Sequence, residues 1–238
     1  MDRILSILTP LLPLVSFFLG YYFNRLIEKS KNDKELNKRY LNGLRLYLEE
    51  TYYRLFQINQ IVLQDGNCPS LTLINSFREI KKQDKHWFVN EGCYLISSSY
   101  LVACLWGTIE KLRQEYPYIT IKKKDDTLIL NKVFEINLAF LKDLSVFYVL
   151  QHNIGQIMYN KSEERLLNYA EFVELLINDK SSIWFERLIN FMIEVGEGKK
   201  KKNIELALDA INSLSKYLEA KYKLGPSIKN RLEMERNK

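Results

Sequence analysis

The residues of this chain that could do chemistry are few and scattered. There are two histidines, His86 and His152, sixty-six residues apart. Neither lies in an H-E-x-x-H or H-x-E arrangement that would pair it with a base or a second ligand. His86 beside Trp87, and His152 within Gln151-His152-Asn153, therefore read as packed or surface residues. The three cysteines, Cys68, Cys93 and Cys104, contain no C-x-x-C pair, which argues against a disulfide framework or a zinc module. Cys93 and Cys104 fall in an apolar helical stretch and read as buried thiols. The acidic pairs Glu49-Glu50, Asp125-Asp126 and Glu163-Glu164 are sequence neighbours, and adjacent helical residues do not face one another. Acid–base catalysis by paired carboxylates is therefore not assigned. With no phosphate-cradling GxGxxG or GxxxxGK[ST] loop, the sequence points to no catalytic residue, no metal ligand and no cofactor. The expectation is a protein without enzymatic activity.

Charge is more informative. Lys and Arg number 35 against 29 Asp and Glu, a net charge of +6. Two basic groups stand out. One is the consecutive run Lys199, Lys200, Lys201 and Lys202, which could meet anionic lipid or nucleic acid and otherwise reads as a solvated loop. The other is Arg25, Lys29, Lys31, Lys34, Lys38 and Arg39, immediately after an apolar stretch.

That stretch, from Ile4 to Phe23, is twenty residues without a charge. As a helix it would span about 30 Å, the thickness of a bilayer's hydrocarbon core. Tyr21 and Tyr22 close it at headgroup level, while Pro10 and Pro13 imply a kink in its first half. By the positive-inside rule, the basic flank puts the amino terminus outside and everything after Asn24 in the cytoplasm of a plasma or inner membrane. A cleaved signal peptide would call for a basic start and a small-residue site, and no alanine precedes Ala103. A second charge-free run, Gly92 to Ile109, carries Ser97, Ser98 and Ser99 and reads as a core helix rather than a second span.

The elements positioning these residues are helical almost throughout. Leu41, Leu44, Leu48, Thr51, Leu55, Ile58 and Val62 follow alternating three- and four-residue spacing, either a bundle core face or a self-association seam. Gln64 to Pro69 is a break. A helix carrying Leu73, Ile74, Phe77 and Ile80 is expected after it, then one over about 90–114. Residues 118–130 read as a loop leading into a helix capped by Asp126, with a small β-hairpin as the alternative. That helix is expected to continue through Val133, Ile136, Phe140, Leu144 and Phe147. Further helices are expected from Ser162, from Ser182 to Gly196 or Gly198, and from Asn203 to Tyr222, the last stopped by Gly225-Pro226.

The fold class is thus all-α: a single transmembrane helix (1–24), a stalk helix (25–64), a cytoplasmic antiparallel helical bundle (65–224) and a polar tail (225–238). The expected partners are the bilayer and another protein or further copies of the chain. An effector that disturbs the membrane by oligomerising, in the manner of bacterial defence or toxin systems, is the first alternative. A nucleic-acid binder using the Lys199–Lys202 run is the second, since the aromatics fall on helical faces rather than on a stacking platform.

Overall fold

The computed structural model describes residues 20–25, 27–28, 31, 40–115 and 123–224. The chain divides into two units, Met1–Leu41 and Asn42–Lys238. In the first, residues 20–25 are helical, and Tyr21, Tyr22, Phe23 and Ile27 are exposed. Arg25 and Lys31 are exposed as well, whereas residues 4–19 and the flanking Lys29, Lys34, Lys38 and Arg39 lie outside the described residues. Among the described residues no helix is long and apolar enough to cross a membrane.

The second unit is a helical bundle. Its helices are α1 (Asn42–Asp65), α2 (Lys85–Val89), α3 (Cys93–Glu115), α4 (Lys123–Leu141), α5 (Tyr148–Met158), α6 (Tyr169–Ile177), α7 (Asp179–Ser182), α8 (Glu186–Gly196) and α9 (Lys201–Tyr222). The apolar α3 is the centre. It packs against α1, α5 and α8, while α9 bridges α1 and α4. Residues 102–110 of α3 are buried without interruption, as expected of a helix that is apolar all round and enclosed by others. The serines that interrupt its apolar run have a use. Arg54 of α1 donates through Nη1 to Ser97 Oγ and Ser98 Oγ, each at 2.9 Å. Its guanidinium also lies 4.5 Å from the centre of the Tyr94 ring. Ser99 Oγ donates back to Leu95 O at 3.0 Å.

Helix α5 approaches α3 closely because Gly155 carries no side chain. A Cβ there would lie 2.6 Å from Trp106 O, a contact that backbone cannot relax. Aromatic edges fill the adjoining core: Trp106, Phe140 and Phe191 follow one another at centroid separations of 5.2 and 5.7 Å.

Several expected elements are corrected. The helix expected around Leu73 to Ile80 is instead two short 3-10 segments, Pro69–Leu71 and Phe77–Lys82. The buried residues are Leu71, Ile74, Phe77 and Ile80, with Leu73 exposed. Within Phe77–Lys82, with three residues per turn, the spacing of three between Phe77 and Ile80 keeps one edge inward. The hairpin alternative fails over 123–130, which is helical, while residues 116–122 lie outside the described residues. A small hairpin does exist elsewhere, Tyr159–Asn160 paired antiparallel with Arg165–Leu166. Ser162 is therefore not a helix cap. Its N–H and hydroxyl both donate to Asn160 Oδ1 within the turn.

The following helix, α6, starts seven residues later than expected. There Asn168 and Glu171 form a reciprocal capping box, and Arg165 clamps Glu171 through two 2.7 Å bonds. Helix α8 ends where glycine was expected to end it, with Gly198 at φ +76°. Helix α9 stops at Tyr222 through Lys223 in the left-handed region, and Gly225-Pro226 lies outside the described residues. Finally, α4 stops at Leu141, so Leu144 and Phe147 do not continue it.

Candidate functional site

The most chemically competent cluster joins α3 to α5. Glu110, 7% exposed, meets His152 Nδ1 at 3.1 Å through Oε2. Its other oxygen accepts from Gln156 Nε2 at 3.1 Å and Gln114 Nε2 at 3.3 Å. Arg113 Nη1 lies against the ring edge, 2.5 Å from His152 Nε2 and 2.8 Å from Nδ1. A carboxylate only accepts, so Nδ1 donates to Glu110 and Nε2 is the ring's acceptor toward Arg113. Burial and the neighbouring Arg113 hold the His152 pKa below its usual value, which keeps the ring neutral. For Glu110, burial pushes upward, but the bonds from Gln156, Gln114 and His152 outweigh it and the net shift is downward.

Glu110 accepts three hydrogen bonds and both ring nitrogens of His152 have partners, so the pair ties α3 to α5. Burial raises the thiol pKa of Cys68 as well as that of Cys104. Burial pushes the Cys104 thiol up to about 12, far from the thiolate that a nucleophile requires. Cys104 instead shares hydrogen bonds with Tyr47 and Tyr100, and burial pushes Tyr47 up to about 12 as well. His86 is exposed on α2. Among the described residues, no group of three or more His, Cys, Asp or Glu could hold a metal ion.

A different surface shows the features of a recognition site. Between α4 and α5 the chain turns through Asp143 and Leu144, at φ 54° and 52°. Asp tolerates this region. Leucine does so at a cost on the order of 1–2 kcal/mol. The Leu144 side chain gains no burial in return, being 70% exposed. Phe147, Tyr148 and Val149 follow it and are also exposed, as are Ile183 and Trp184 in the turn after α7, which packs against α5. Phe134 and Leu138 are exposed on α4.

Side chains from three other segments hold the loop in this shape. Asn203, buried on α9, donates through Nδ2 to Ala139 O at 3.0 Å and Lys142 O at 2.9 Å. Gln151, buried on α5, donates to Val146 O at 2.7 Å and Asn137 O at 3.0 Å. Arg187 on α8 donates from Nε to Ser145 O. Ser145 and Val146 are themselves buried, so the loop has a fixed underside and an apolar upper side. Strain of this sort persists where the surroundings over-determine it.

The residues singled out in the sequence fall elsewhere. Leu44, Leu48, Leu55 and Ile58 are fully buried and Val62 nearly so, on the α1 face that meets α3 and α9; Leu41 is buried in the first unit. These side chains are occupied by the chain's own core. In the basic run, Lys199 pairs with Glu197 at 2.8 Å and Lys200 with Glu194 at 3.4 Å. Lys201 and Lys202 are exposed at the start of α9. The run is thus partly neutralised by acidic residues at the end of α8.

Sequence reading missed the ledge because Leu144 and Phe147 fit the α4 spacing and no Gly or Pro marks the break. The one available signal is the density of large apolar residues in Leu144-Ser145-Val146-Phe147-Tyr148-Val149-Leu150, more than one helical face can bury. No protein-family model, curated protein or solved structure matches this chain.

Proposed function

We propose that this chain is a non-enzymatic, membrane-anchored protein whose helical bundle docks another protein chain. The observation that carries the docking reading is the ledge of Leu144, Phe147, Tyr148, Val149, Ile183 and Trp184. Large apolar side chains left exposed on neighbouring segments of a polar bundle mark an interaction site more often than a defect. A loop held rigid in a strained shape adds to that, because pre-organised anchors lose little entropy on binding.

The anchor rests on Ile4 to Phe23, uncharged and followed by Arg25, Lys29, Lys31, Lys34, Lys38 and Arg39. The exposure of Tyr21, Tyr22, Phe23 and Ile27 is compatible with lipid contact. The engaged Glu110–His152 pair and the high pKa of Cys104 support the non-enzymatic part. The partial neutralisation of Lys199 and Lys200 removes much of the appeal of a nucleic-acid reading.

Two experiments test the parts separately. Alkaline extraction of membranes should leave the full chain in the pellet, and release into the supernatant overturns the anchor. A photo-cross-linking residue at Val149 should give a discrete adduct of higher mass in cells, whereas the same residue at Glu205 should not. Equal labelling at both positions, or at neither, overturns the docking site.

A further inference from the structure

We infer that the occupant of the Leu144–Trp184 ledge is a second copy of this chain, seated about a twofold axis. This rests on the docking reading proposed above and narrows it.

Area is the first argument. The six ledge side chains are between 46% and 70% exposed. With aromatic side chains burying about 150–250 Å² each and the aliphatic ones less, the six present on the order of 600 Å² of apolar surface. That is at the upper end for the largest patch on an ordinary monomer, about 300–600 Å². Two such surfaces face to face remove about 1,200 Å² in total, the lower end of the range for a stable interface.

The second argument is charge. A twofold interface brings a patch against itself, so its rim must carry both signs. The rim here does. Lys142 adjoins Asp143, their charged atoms 3.9 Å apart. At the Ile183–Trp184 end, Lys180 stands before the turn and Glu186 after it. Cation and anion therefore alternate at both ends, and an axis through the apolar centre can place the Lys of one copy near an acid of the other. An anionic bilayer would instead favour a basic rim, and Asp143 and Glu186 would face its headgroups. An unrelated partner would have no need for balanced signs.

Anchoring strengthens the case. If both copies are tethered to one membrane, the second contact occurs at raised effective concentration, so a lower-range interface suffices.

The test uses the full chain in a mild non-ionic detergent. Sedimentation equilibrium, with the detergent density-matched, should give twice the chain mass and a concentration-dependent dissociation. Leu144→Asp should weaken that dimer at least tenfold. Aspartate accepts positive φ better than leucine, so this variant keeps the loop and loses the apolar anchor. Circular dichroism superposable on that of the parent establishes that it folds.

A photo-cross-linker at Phe147 in the otherwise unchanged chain gives an answer independent of any destabilisation. The expected adduct has twice the chain mass, and its cross-linked peptide comes from residues 142–149 or 180–187 of the same sequence. A monomer at all concentrations with no such adduct overturns the inference. So does a dimer that Leu144→Asp leaves unaltered, or a Phe147 adduct with a different protein. In that last case the docking reading stands and only the identity of the occupant fails; adducts with lipid alone, or none at all, remove both.

Discussion

Replacing Asn203 by alanine should loosen the loop that displays the ledge, and its size can be worked from the contacts. Asn203 is 2% exposed, and its Nδ2 is the donor to two main-chain carbonyls, Ala139 O and Lys142 O. Ala139 O lies in the last turn of α4, where no residue of that helix can satisfy it, and Lys142 O, just beyond the helix, accepts also from the Ser145 N–H at 3.3 Å. Alanine leaves both without this donor, at about 1–3 kcal/mol for each group that water does not reach. Lys142 is only half-buried, so water recovers part of its share. Alanine also returns up to about 0.7 kcal/mol in helix propensity within α9. The net loss is about 2–3 kcal/mol. For a unit of this size that lowers the melting temperature by roughly 4–12 °C.

Thermal unfolding followed by far-ultraviolet circular dichroism on the full chain in detergent reads this directly. Lys202→Ala, next to it on the exposed side, is the matched control. Asn203→Asp should be at least as damaging as Asn203→Ala, because it turns carboxylate oxygens toward carbonyl oxygens. A melting temperature for Asn203→Ala within about 1 °C of the parent, the scatter of a surface change, would refute the claim that Asn203 holds the loop.

Three further outcomes follow from the same packing. Gly155→Ala should destabilise the bundle by about 1–3 kcal/mol or more, because its methyl group would meet the Trp106 carbonyl oxygen at 2.6 Å; chemical denaturation checks this, and an unchanged midpoint contradicts the close α3–α5 approach. Stability should fall on acidification in two stages. The folded pKa values of His152 and Glu110 are held below the ordinary values of 6.5 and 4.5, so the unfolded chain takes up protons that the folded chain resists. The His152 contribution is complete above about pH 6.5 and is lost as pH falls through its folded pKa, the Glu110 contribution likewise below about 4.5. Melting temperature against pH should show both declines, and His152→Gln should abolish the upper one while keeping the lower. Asn168→Ala should cost about 1 kcal/mol through loss of the α6 cap, read as a shifted denaturation midpoint.

Much of this molecule follows from local pattern. The helical character of the bundle, the burial of Leu44 to Val62, the enclosure of α3 and the glycine that closes α8 all rest on interactions within a few residues. Apolar periodicity and terminal glycines report such interactions directly. The charge-free Ile4–Phe23 stretch and its basic flank are equally local, and the proposal of an anchor stands on them alone.

Other features depend on residues far apart in sequence. Ser97 and Ser98 read as blemishes in an apolar run until Arg54 of α1 is placed against them. His152 and Glu110 are forty-two residues apart, and nothing in either neighbourhood announces the other. The end of α4 is the clearest case: spacing alone carries the helix through Leu144 and Phe147. The break at Asp143 is supported by donors at positions 151, 187 and 203, which only the assembled bundle brings to one loop. Local sequence settles which faces are apolar; Arg187 and Asn203, both far away in sequence, join the nearby Gln151 to settle which apolar residues are left in water.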